Sequence, residues 1–71
     1  MEKLKSAIIE EFVETVQLMV WKLKKEELTE NRRSWYLGQI SAYQFTLKAM
    51  GMPEEEVESI RSKAWNEEWN R

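Results

Sequence analysis

The sequence predicts an all-α fold, a three-helix hairpin or bundle of two long helices and a shorter C-terminal one, completed by oligomerisation. Three observations predict it. All 13 acidic residues are Glu, and the chain has only 2 Gly and 1 Pro, which is a composition of helix formers with few breakers. Apolar residues recur at alternating steps of three and four, the period of an amphipathic helix. The chain has 71 residues and lacks both Cys and His, so it is a single domain (1–71) that neither a disulfide nor a zinc site built on thiolate or imidazole can staple. A second copy is the remaining device by which so small a core gains stability.

The first helix is expected over about residues 3–27. Ile9, Phe12, Val16, Met19 and Leu23 form its apolar stripe, widened by Ile8, Val13 and Val20. Leu4, Ala7, Leu18 and Trp21 lie roughly opposite as a patchier second face, and Trp21 is the tryptophan best placed for an interface. No Gly or Pro separates this helix from the next, so the break rests on Thr29 or Asn31 as N-cap. Without such a cap the two helices would run on as one rod that must pair with another chain.

The second helix, over about residues 30–50, carries two apolar stripes. One is Tyr36, Ile40, Tyr43, Leu47 and Met50; the other, on the opposite side, is Trp35, Gly38, Ala42, Phe45 and Ala49. A helix apolar on both sides calls for cover on both sides, from its neighbours or from a second subunit. Gly38, Ala42 and Ala49 are small residues in register that would admit a close helix backbone, and Gly38 weakens the helix by about 1 kcal/mol relative to Ala. Gly51 ends this helix, Pro53 opens the next, and Glu54, Glu55 and Glu56 complement the positive end of its dipole. The third helix, over about residues 53–69, presents Val57, Ile60, Ala64, Trp65 and Trp69.

Function classes narrow from the same inventory. No apolar run reaches the roughly 18 residues of a membrane span, and the N-terminal stretch reads as neither a signal peptide nor an anchor, so a cytoplasmic setting is expected. The net charge of −2, with both signs interspersed, disfavours generic nucleic-acid binding. Catalysis has no Cys or His nucleophile or base to draw on, and no cofactor or metal is expected: a carboxylate-bridged di-metal bundle needs Glu-x-x-His pairs, and there is no phosphate-cradling glycine loop. The Glu clusters read as solvated helix faces and a helix start. The chain is therefore expected to bind rather than to catalyse.

One constellation has ligand chemistry. Lys22, Lys24 and Lys25 precede Asn31, Arg32, Arg33, Ser34, Trp35 and Tyr36, which gather guanidinium groups and aromatic rings near a helix N-terminus, where free N–H groups and the dipole favour an anion. Arg32, Arg33 and Lys25 would hold phosphate, and Trp35 or Tyr36 would stack on a base, so a nucleotide-like small molecule suits the set. The plainer alternative puts both rings in the core and leaves the arginines solvated or paired with Glu26, Glu27 or Glu30. Trp65 and Trp69 also have two readings, closing the core (subunit docking included), with Arg61 over Trp65 as a cation–π pair, or anchoring a partner. The interface candidates are thus Trp21, Gly38, Ala42, Phe45, Trp65 and Trp69.

The segment Arg33-Ser-Trp-Tyr-Leu-Gly-Gln-Ile-Ser-Ala-Tyr-Gln-Phe-Thr-Leu-Lys-Ala-Met-Gly, about a quarter of the chain, resembles the central helix of small phage- and prophage-encoded helical proteins. There an aromatic residue, Leu-Gly-x-Ile-x-Ala and a Leu-x-x-Met-Gly ending form the pattern. Such proteins include helical oligomers that sequester the nucleotide signals of bacterial defence systems, and others that block a host protein directly. The resemblance implies a homo-oligomeric counter-defence protein of the host cytoplasm, either sequestering a nucleotide-like signal or acting as an inhibitor or adaptor on a host protein.

Overall fold

The computed structural model describes residues 2–71, which form three helices: α1 (Glu2–Lys24), α2 (Glu30–Ala49) and α3 (Glu54–Trp69). Each carries one apolar stripe into a common core. Phe12, Val16, Met19 and Val20 come from α1, Tyr36, Ile40 and Leu47 from α2, Met52 from the second connection, and Val57 and Ala64 from α3. Ile8, Ile9, Val13, Tyr43, Ile60 and Trp65 close its edges, and the Phe12 and Tyr43 rings meet at 6.5 Å. Each large side chain so buried contributes about 1.5–3 kcal/mol. Leu23, expected in the α1 stripe, stands exposed near that helix's end.

The chain breaks between α1 and α2, so the continuous rod does not form. Helix α1 stops at Lys24 rather than near residue 27, because Glu26 adopts a left-handed conformation, φ 57°. There the Glu26 amide donates to the Leu23 carbonyl (3.1 Å) and the Glu27 amide to the Lys22 carbonyl (3.0 Å), which is the Schellman pattern with Glu in the glycine position. Thr29 then caps α2, its hydroxyl accepting from the Arg32 amide at 3.2 Å.

The second break follows the same rules with the residues that suit them. Gly51 takes φ 98°, its amide donates to Lys48 O and the Met52 amide to Leu47 O, each at 3.0 Å, and Met52 and Leu47 both enter the core. Regular helix in α3 begins at Glu54, one residue later than expected, because Pro53 is its N-cap rather than its first helical residue, and Pro53 makes no side-chain cap bond. The acidic first turn of α3 reaches back, as Lys48 Nζ lies 3.6 Å from Glu54 Oε1.

Helix α1 is the hub. It packs along both α2 and α3, which touch each other only sparingly. The radius of gyration, 12.3 Å, exceeds the roughly 11 Å of a closely packed chain of this length. The chain exposes 5216 Å², against about 4,700 Å² for a typical folded monomer of 8.6 kDa. The surplus surface comes from the open side between α2 and α3 and from helix faces that nothing covers.

Candidate functional site

Trp35 and Tyr36 are neighbours in sequence, but a helix turns about 100° between them, and only one can face α1. Tyr36 is that one, 4% exposed in the core beside Ile40, so its ring face is withdrawn from any ligand. Trp35 is 51% exposed and meets the edge of Tyr36 at 5.0 Å between centroids, with the planes at 77°. The Arg32 guanidinium carbon lies 5.7 Å from the Trp35 ring centroid, a cation–π placement on the solvent side. Arg32 and Arg33 are both exposed. Neither joins the three ion pairs among the described residues, which are Lys48–Glu54, Arg61–Glu58 and Arg71–Glu68. The plainer alternative thus holds for Tyr36 in the core and for arginines that are solvated rather than paired with Glu26, Glu27 or Glu30, and fails for Trp35, which is exposed.

Lys25 belongs to a different cluster. Its ammonium sits 4.4 Å from the centroid of Trp21, with that of Lys22 at 5.8 Å. Beside them Lys24 Nζ donates to the Glu68 carbonyl at 2.9 Å and the Arg71 carbonyl at 3.5 Å, so α1 supplies the cation that satisfies the C-terminal end of α3. Glu68, only 8% exposed, accepts from Arg71 at 3.3 Å. Sequence reasoning missed Lys24 and Glu68 in these roles, because both depend on where α3 ends in space.

The tryptophans of α3 stack on each other, 6.4 Å apart with planes inclined by 15°. Trp65 packs against the core, whereas Trp69 is half exposed. Arg61 does not cover Trp65 as a cation–π partner; it binds Glu58 at 2.6 Å instead. Between α2 and α3, over α1, runs an open groove of about 300 Å³ lined by Met19, Leu37, Ile40, Arg61, Trp65 and Asn66 among others. It is a product of the sparing α2–α3 contact, and no pattern in the sequence marks it.

The second stripe of α2 lies bare. Phe45 is 75% exposed, and Gly38, Ala42 and Ala49 are exposed with it. A Cβ built on Gly38 meets nothing within 4 Å, so no element of this chain uses the notch. Trp21 is likewise exposed, on the outer side of α1 with Leu4 and Leu18. Among the described residues no three acidic side chains gather closely enough to hold a metal ion, and no helix is long and apolar enough to cross a membrane.

Set against known proteins, the chain matches no family model, no curated protein and no solved structure.

Proposed function

We propose that the chain is a non-catalytic binding protein of the phage counter-defence kind, that it works as a homo-oligomer, and that it captures a nucleotide-like anion at the N-terminal turns of α2. The observation that carries this reading is the exposed Arg32–Trp35 pair at 5.7 Å, with Arg33 next in sequence and both guanidinium groups outside the ion pairs among the described residues. An exposed indole with the Arg32 guanidinium over it, and Arg33 solvated on the same N-terminal turn, supply an aromatic surface and two cations to the start of α2. Tyr36 takes no part, and Lys25 contributes only from the adjoining Trp21 cluster.

Calorimetric titration with a panel of mono-, di- and cyclic nucleotides tests it. Binding of at least one class is expected, weakened at least tenfold by Arg33→Ala and abolished by Arg32→Ala with Arg33→Ala, with the helical circular dichroism retained. Affinity that survives the double substitution would refute the site.

A second reading, inhibition or bridging of a host protein, is favoured by the exposed Leu4, Leu18 and Trp21 on α1 and by Trp69. It expects retrieval of one bacterial partner that is lost on Trp21→Ala or Trp69→Ala. A partner indifferent to all four tryptophans would exclude it.

A further inference from the structure

The floor of the groove between α2 and α3 belongs to the core: Val16, Met19 and Ile40 line it and are at most 5% exposed. Side chains packed in this way hold one arrangement, so the concavity is preformed rather than opened by a ligand. Its two walls differ. The α2 side is apolar, with Leu37 as its lip. The α3 side carries Trp65, which its stack on Trp69 restrains, and every polar lining residue, namely Arg61, Ser62 and Asn66.

Size and charge narrow what fits. About 300 Å³ is the space of roughly ten water molecules and the lower end of the range for small-molecule sites, which suits a ligand of one or two rings. Arg61 is the only charged residue that lines the groove, so the complementary ligand carries a single negative charge. The Arg61 guanidinium meets Glu58 at 2.6 Å, but both side chains are nearly half exposed, and a pair so solvated is readily exchanged. Arginine also has further N–H donors to offer beyond the one Glu58 takes. Among the described residues neither the Ser62 hydroxyl nor the Asn66 side-chain amide makes a hydrogen bond, so two neutral donors remain beside the cation. One guanidinium, one hydroxyl and one amide match the acceptor sites of a carboxylate. The Met19 thioether and the Trp65 indole favour an aromatic body over an alkyl chain.

We propose that this groove is a second ligand site that takes a small aromatic carboxylate, its rings on Met19, Ile40 and Trp65 and its carboxylate at Arg61, Ser62 and Asn66. The site shares no residue with the Arg32–Trp35 pair and does not rest on the reading of that pair.

Titration with β-naphthoate, followed by the backbone amide and side-chain N–H resonances of the isotope-labelled full chain, tests it. Saturable shifts are expected at Met19, Leu37, Ile40, Trp65 and Asn66, with a dissociation constant below the millimolar range. Arg61→Gln should weaken binding at least tenfold. Glu58→Gln, which frees the guanidinium, should tighten it at least twofold; both positions are exposed, so the helices should stand in either variant. The neutral β-naphthalenemethanol should bind at least tenfold more weakly than the acid and be indifferent to Arg61→Gln. Equal affinity for acid and alcohol would overturn the role of Arg61 and with it the ligand class. Shifts centred on Trp21 or Trp35 would overturn the groove and show adsorption to exposed indoles. Groove resonances that move with protein concentration alone would show a second copy seated there, and no saturation in the millimolar range would show no site at all; either result overturns the proposal. None of these outcomes bears on Arg32 and Arg33, whose nucleotide titration stands or falls separately.

Discussion

Glu26 occupies a position that glycine would hold at less cost, and replacing it should stabilise the protein. At φ 57° its Cβ crowds the following carbonyl, which for an L-residue costs about 1–2 kcal/mol. Glycine escapes that cost but loses more backbone freedom on folding, which returns roughly 0.5–1 kcal/mol. Glu26 is exposed and joins none of the ion pairs, so its side chain takes little with it, and its negative charge lies at the end of α1 where the dipole disfavours it. The net expectation for Glu26→Gly is a gain of about 1 kcal/mol, which moves the thermal midpoint of a domain this size up by about 4–8 °C. Urea unfolding followed by far-ultraviolet circular dichroism reads the free energy. Glu26→Ala separates backbone from charge, because alanine keeps the left-handed penalty and should gain only a few tenths of a kcal/mol. Gly51→Ala supplies the opposite sign. A Cβ there meets nothing within 4 Å, so its expected loss of about 1 kcal/mol is backbone conformation alone. Equal gains from Glu26→Gly and Glu26→Ala, or a Gly51→Ala variant as stable as wild type, would refute the reasoning.

Thr29→Ala removes the only side-chain cap seen at α2 and should cost about 1 kcal/mol in urea, with Thr29→Ser nearly neutral. Leu47→Ala empties a fully buried position and should cost about 2–5 kcal/mol. Since a core of this size supplies only about 3–5 kcal/mol, much of the helical signal should be lost at room temperature. Lys24→Met deletes the donor to the last carbonyls of α3 and should speed amide exchange at Asn70 and Arg71 several-fold while changing global stability by less than about 1 kcal/mol.

How far the sequence carries can be judged helix by helix. The Gly51–Pro53 boundary was legible to within a residue because a left-handed C′ residue and a proline at a helix start are local chemistry, independent of what lies nearby. The end of α1 was not, since the same Schellman turn is made there by Glu, a residue that never announces it. The inner stripe of α2 was legible from spacing, and the same spacing held the answer to Tyr36, which belongs with Ile40, Tyr43 and Leu47. Grouping it with Arg32 and Trp35 followed adjacency along the chain and ignored the turn of the helix between them. Lys24 at the end of α3, the burial of Glu68 and the groove over Met19 depend on three-dimensional placement of α3, which no one-dimensional pattern encodes.

The hub position of α1 also sets an order in time. Helix α2 is tied to α1 by a short connection and can dock as soon as both exist, a hairpin of neighbouring segments that closes at little entropic cost. Helix α3 gains almost nothing from its neighbour α2; its partners are on α1, and the Lys24–Glu68 contact spans 44 positions. The α1–α2 hairpin can therefore form first, with one flank of α1 bare until α3 docks there. During that interval the α3 of another chain can compete for the bare flank, against its own α3 held nearby at high effective concentration. The connection through Gly51 and Pro53 is where such an exchange would turn, and the speed with which α3 arrives decides whether each chain finishes itself.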